Sequence, residues 1–303
     1  MPREDISFKT ADQTTLRGWL YKPPNSSNGP LSCLVMAHGF AAVKEMVLPS
    51  IAEHFSTHLD LACLVYDHRG FGDSDNQPNQ PRQEIIPAQQ ISDYSDAITY
   101  LQTRDDIKSD SIGAWGTSYS GGHVLCLGAI DRRVKAVVSQ VPVVDGWENL
   151  HRLIRPDFLP LVDELIQKDR LAVAAGETPL SLPVVNEDPL AQSALPSLES
   201  YKFFTTNGRG TTWLNTVTVK TLEALRGYIP AAYMKHISPT PLLMVVADND
   251  QAAPTDLALK AYAKALEPKS LHIVRAGHFE VYAGSKLQEA LEAETDFLRR
   301  HLC

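Results

Sequence analysis

The chain has 303 residues, 44% hydrophobic and 21% charged, with a formal net charge of -8; that length suits one large α/β domain with an insertion, and the acidic balance argues against a nucleic-acid partner. No stretch approaches the roughly 18 apolar residues of a membrane span, and the charged start without an apolar core segment gives the expectation of a cytoplasmic protein with no secretory signal. Cys33, Cys63 and Cys126 fall in apolar runs and Cys303 is terminal, so no disulfide framework is expected, and without C-x-x-C or H-E-x-x-H neither a metal nor a cofactor is expected.

In chain order, two short strands around Ile6–Phe8 and Leu16–Tyr21 are expected to pair antiparallel at a sheet edge, followed by the turn-rich loop Pro23–Pro30. Strand and helix then alternate. Apolar, β-branched runs predict strands at 31–37, 61–66, 111–115, 134–140, 242–247 and 271–274. Helices are expected at 48–56, 89–102, 119–129, 256–266 and 287–301, with Ile91, Tyr94, Ile98 and Leu101 forming a core face. The alternation predicts an α/β architecture with a mostly parallel, doubly wound sheet. About 100 residues, 142–238, interrupt it, far longer than an ordinary connection. In that interval Leu159, Val162, Leu165 and Ile166 space like a helix, as does the stretch 216–227.

Three segments carry chemistry. Trp115-Gly-Thr-Ser-Tyr-Ser-Gly-Gly-His123 runs from a strand through a Gly-flanked serine into a helix, the pattern of a nucleophile elbow in which Ser118 is the nucleophile. Ser120 stands where G-x-S-x-G has its last glycine, and is small enough to fit. After the strand at 242–247 come Asp248 and Asp250, and after the strand at 271–274 comes Gly277-His278. The order serine, acid, histidine is the one in which α/β-hydrolase triads run. A serine hydroxyl is a poor nucleophile alone; His278 would take its proton, and an acid behind the ring would hold its tautomer. Asp250 is favoured, being followed four places on by Pro254; Asp248 is read as capping the turn. Asp67-His-Arg-Gly-Phe-Gly-Asp-Ser74 lacks the third glycine and following helix of a dinucleotide fingerprint, so it is read as a structural turn with Arg69 pairing to Asp67 or a nearby carbonyl.

On these motifs the chain resembles the α/β-hydrolases over nearly its whole length. The resemblance implies the α/β-hydrolase fold, with a core of 1–141 and 239–303 and a helical cap (lid) at 142–238 roofing the serine. It implies an oxyanion hole from the backbone N–H groups of Phe40, after the His38-Gly39 strand end, and of Tyr119. His38 is read as bracing that loop and His123 as packing. Asp145 stays open as a third acid, because some relatives carry it after the preceding strand. Trp147, Phe158, Phe203, Phe204, Trp213 and Tyr228 are candidates either for the cap's own packing or for an acyl pocket. With Pro81-Arg-Gln-Glu-Ile85, read as a loop packing on the elbow helix, and Asp93-Tyr-Ser-Asp-Ala-Ile98, the chain is more narrowly similar to dienelactone-hydrolase-like proteins and to fungal polyketide transferases and thiohydrolases. That likeness implies a serine hydrolase or acyltransferase acting on an ester or thioester, with a small-molecule or carrier-bound acyl substrate and a polyketide synthase among the partners to test. A general carboxylesterase and a non-catalytic small-molecule binder remain alternatives, and the oligomeric state, a homodimer included, is open.

Overall fold

Apolar runs whose residues are buried on both faces set the middle of this protein. The computed structural model describes residues 3–24 and 29–303; residues 25–28 of the expected loop after the second strand, and residues 1–2, lie outside the described residues. The strands are β1 (Arg3–Lys9), β2 (Thr15–Tyr21), β3 (Leu31–Ala37), β4 (Leu61–Tyr66), β5 (Ile107–Thr117), β6 (Val134–Gln140), the two-residue β7 (Ser181–Leu182) and β8 (Val217–Thr218), β9 (Leu242–Ala247) and β10 (Lys269–Val274). Eight of them form one sheet in the order β1-β2-β4-β3-β5-β6-β9-β10, and β7 with β8 form a separate pair. The β1–β2 and β2–β4 pairings are antiparallel and the rest of the large sheet is parallel. β3 and β4 are buried at every position, as strands covered by helices on both faces must be.

The helices are α1 (Leu48–His58), α2 (Pro87–Gln102), α3 (Tyr119–Ile130), α4 (Gly146–Leu153), α5 (Leu159–Ala174), α6 (Leu198–Asn207), α7 (Val219–Arg226), α8 (Thr255–Lys264) and α9 (Gly284–His301). One sheet face packs on α2, α3 and α8 through residues such as Tyr94, Ile98, Leu101, Val124, Leu127, Ala258 and Ala261. The other packs on α1 and α9 through Ile51, Phe55, Leu291, Phe297 and Leu298. None of the described helices is long and apolar enough to cross a membrane.

The segment between β6 and β9 holds α4 to α7 and the β7–β8 pair. The helical spacing of Leu159, Val162, Leu165 and Ile166 belongs to α5; the stretch 216–227 is shorter as a helix than its composition suggests, because Val217 and Thr218 pair with β7 before α7 begins. Helices α4 and α6 lie outside the expected helices; α4 spaces Trp147, Leu150 and Leu153 three apart, but over only 8 residues, a run too short to stand out in the sequence. This segment packs around its own apolar cluster, including Leu150, Ile166, Leu182, Phe204, Val217 and Leu222, which is continuous with Phe40, Met46 and Tyr119 of the sheet domain.

One buried carboxyl sits in the packing of α9 on β5. Trp115 Nε1 donates to Glu294 Oε2 at 3.1 Å, while Oε1 has no partner. Burial, only partly opposed by the Trp115 hydrogen bond, pushes Glu294 up to about 8 from an ordinary 4.5. The group is therefore neutral in the fold at pH 6 but ionised in the unfolded chain. Its raised pKa leaves stability intact below about pH 4.5 and erodes it as pH climbs toward 8. Glu294→Gln should match wild type in thermal melts at pH 4.5 and exceed it increasingly up to pH 8, by about 2–4 kcal/mol; parallel melting curves across that range would refute this.

Candidate active site

The site is assembled where the carboxyl ends of the central parallel strands meet the segment between β6 and β9. Ser118 follows β5 directly and is the residue from which α3 starts, with φ +56° and ψ -114°, a region in which a non-glycine residue is strained by roughly 1–3 kcal/mol. The neighbours overdetermine it. Its N–H donates to Gln140 O at 2.8 Å, and its carbonyl accepts from Val143 N at 2.9 Å and Gly122 N at 3.3 Å. A Cβ at Gly116 would strike the Ser120 carbonyl oxygen, so the turn is closed to any larger residue there.

Ser120, in place of the usual glycine, uses its hydroxyl. It donates to the His38 carbonyl at 2.5 Å and lies 2.8 Å from His68 Nε2. Because the single hydroxyl proton is spent on His38, the pattern assigns Nε2–H to His68, which donates to Ser120. The elbow is thus tied to the loop after β3 and to the turn after β4. His38 is buried, with Nδ1 2.9 Å from the Gly39 carbonyl. Burial, opposed by that hydrogen bond and reinforced by the Lys44 charge, lowers it to about 4. His68 is lowered well below its ordinary value, by burial first and then by His38 and His123; His123 is lowered to about 3, again by burial and then by His38. All three rings are neutral at physiological pH. His123 lies 2.7 Å from Tyr228 Oη and 3.0 Å from Gln90 Oε1, so it belongs to the packing of α3.

Ser118 Oγ lies 3.0 Å from His278 Nε2, in the loop after β10, and His278 Nδ1 lies 2.7 Å from Asp250 Oδ2, in the loop after β9. The histidine and aspartate side chains are 2% and 1% exposed. Asp250 Oδ1 also accepts from Ala252 N at 2.9 Å and Ala253 N at 2.6 Å, which fixes the carboxylate. With Nδ1–H given to Asp250, the Nε2 lone pair faces the serine hydroxyl. Asp248 does not cap its own turn; it accepts from Ala276 N at 3.1 Å and so clamps the ends of β9 and β10, the strands that carry Asp250 and His278. Asp145 is the N-cap of α4, accepting from Glu148 N at 3.0 Å. Glu199 on α6 accepts from Phe279 N at 3.2 Å and holds the histidine loop from the other side, a role without any sequence signal.

Beside Ser118 is an apolar chamber of about 60 Å³, lined among others by Phe40, Tyr119, Val143, Phe203, Phe204 and Phe279. Tyr119 is the first residue of α3, so its N–H has no intrahelical acceptor. Of the candidate aromatics, Phe203 and Phe204 line this chamber and Trp213 packs on Phe204. Tyr228 is buried against Tyr119 and His123, Phe158 lines a different cavity, and Trp147 is half exposed.

Arg69 does not pair with Asp67 or a carbonyl. Its guanidinium forks onto Asp93, with Nε donating at 2.8 Å, and also reaches Asp12 at 2.7 Å. Asp67 is instead taken by Lys44, through the backbone N–H and the ammonium, both at 2.7 Å. The reason is steric as well as electrostatic: Asp67 points toward the loop after β3, where Lys44 is fully buried and needs a counter-charge. The 81–85 loop contributes Ile85 to the cluster holding Tyr119, but its hydrogen bonds run elsewhere. Gln83 N donates to Gly70 O, and Ile85 N to Thr221 Oγ1, so the loop joins the turn after β4 to α7.

Comparison with known proteins agrees with this architecture. A model of the alpha/beta hydrolase fold matches residues 33–283. The chain is 34% identical over 310 residues to a polyketide transferase of a Penicillium species, covering 100% of this chain and 98% of that protein. It is 32% identical to a thiohydrolase of Eupenicillium brefeldianum, covering 98% and 94%. The crystal structure of the alpha/beta hydrolase GrgF from Penicillium sp. sh18 superposes with a TM-score of 0.85 at 32% identity, covering 100% and 99% of the two chains. Sheet order, strand-to-helix elbow and these matches together establish that the chain belongs to the α/β hydrolase fold family.

Proposed function

We propose that this protein is a serine-dependent acyl hydrolase or acyltransferase working on an ester or thioester, of the kind that releases or transfers a polyketide acyl chain. The observation that carries the reading is the unbroken hydrogen-bond chain from Ser118 Oγ through His278 to Asp250, opening on an apolar chamber. Relatives named polyketide transferase and thiohydrolase over their full length support the substrate class. Residues 142–238 act in this reading as a cap on a core of 1–141 and 239–303. A small-molecule or carrier-bound acyl thioester is the substrate, and a polyketide synthase is the partner that would present it.

In the first half-reaction Ser118 Oγ attacks the carbonyl carbon while its proton passes to His278 Nε2. Asp250 stabilises the imidazolium and keeps the ring oriented. The negative charge that builds on the carbonyl oxygen is met by the N–H groups of Phe40 and Tyr119, an arrangement in which losing one donor typically costs about a hundred- to a thousand-fold in rate. The C–S or C–O bond then breaks, and the leaving group takes the proton from His278. In the second half-reaction His278 deprotonates water or an alcohol, which attacks the acyl-serine, and the proton returns to Ser118 as the product leaves. The apolar lining by Phe40, Val143, Phe203 and Phe204 keeps bulk water off the acyl-serine and favours an acceptor that brings its own apolar body.

Ser118→Ala should abolish labelling by a fluorophosphonate probe, and undiminished labelling of that variant would refute the nucleophile. Asp250→Asn should leave the fold intact and lower kcat on an acyl thioester by about 10⁴-fold; a loss below tenfold would mean another acid serves His278. With an N-acetylcysteamine thioester and added primary alcohols, the ratio of ester to free acid should rise with alcohol chain length. Formation of free acid alone at every alcohol would rule out transfer.

A further inference from the structure

The chamber beside Ser118, about 60 Å³, is far below the roughly 300–1,000 Å³ of a site that encloses a whole small molecule. It holds the reacting end of an acyl group and little more. A second cavity, about 560 Å³, lies within the segment between β6 and β9. It is bounded by α5, by the end of α4 and by the stretch 189–196. Leu153 and Leu222 line both spaces, so one layer of leucine side chains separates them. The stretch 191–196 continues the partition: Ala194 and Leu195 face the chamber, whereas Ala191, Gln192, Ser193 and Pro196 face the second cavity.

We infer that the second cavity is the site for the distal part of an extended acyl chain whose carboxyl end is held at Ser118. The inference rests on the acyl-transfer reading above and adds to it the length of the acyl group. Its wall is mostly aliphatic, with Ile154, Leu161, Val162, Leu165 and Leu190, which suits methylenes. Leu161 and Leu190 are 55% and 57% exposed, so apolar surface at this cavity is left to water in the protein alone. In this assignment a short acyl group stays in the chamber, and a long one displaces the Leu153 and Leu222 side chains to reach the second cavity.

The test measures binding apart from turnover, on the full chain. Calorimetric binding of dodecanoic and butanoic acids is compared in wild type, Ala191→Trp and Leu161→Trp, each checked by thermal melt. The two tryptophans narrow the cavity from different elements, α5 and the stretch 189–196, so one misfolded variant still leaves the other. Wild type should bind dodecanoic acid at least tenfold more tightly than butanoic acid, and either tryptophan should erase most of that preference. No chain-length preference in wild type, or one untouched by both tryptophans, overturns the assignment. Binding as expected, with no turnover of the N-acetylcysteamine thioesters by wild type, would refute the acyl-transfer reading and leave the cavity's occupant as assigned.

Discussion

The backbone of Ser118 is held in a conformation that an isolated peptide would avoid, and much of the surrounding architecture can be read as what holds it there. β5 delivers the residue between β3 and β6, and Gln140, at the end of β6, accepts its N–H. Val143 and Gly122 grip its carbonyl from the far side. The absence of a side chain at Gly116 admits the Ser120 carbonyl into space that any other residue would fill. A strained turn of this sort persists only when packed elements on every side agree on it. Once it is held, the hydroxyl faces the loops after β9 and β10, whose own spacing is set by parallel pairing.

A second layer of the arrangement is electrostatic. Three neutral histidines line up from the loop after β3 to the inside of α3, with ring centroids 4.9 Å and 5.7 Å apart. Neutral rings can be buried beside one another where charged ones could not. The buried cation Lys44 beside them is matched by Asp67 and by Asp73 at the surface. That ion pair stitches the loop after β3 to the turn after β4, so the segment that carries Phe40 is anchored by charge on one side and by the Ser120 hydroxyl on the other.

Much of this was legible in the sequence, for identifiable reasons. Strands buried on both faces must be apolar runs, so those of the large sheet stand out, and the order of Ser118, Asp250 and His278 follows from the motifs that end three of them. What sequence does not carry is distance: Ser118 and His278 are 160 residues apart and meet only through the sheet order. The misreadings share a cause. Arg69 was assigned a neighbour two residues away, whereas Asp12 and Asp93 reach it from other elements. Helices α4 and α6 are short: α4 presents Trp147, Leu150 and Leu153 at helical spacing, but over only 8 residues, too brief a run to announce a helix inside the insertion.

The ends of the sheet have a bearing on how copies of the protein meet. β1 borders water with Arg3, Glu4, Asp5, Ser7 and Lys9 exposed and only Ile6 and Phe8 turned inward. A free strand edge is a template for another chain, and alternating charges along it make any in-register partner from a second molecule pay for displaced hydration and mismatched signs. The eight-stranded sheet is therefore bordered there by charges that disfavour edge-to-edge pairing with a second molecule.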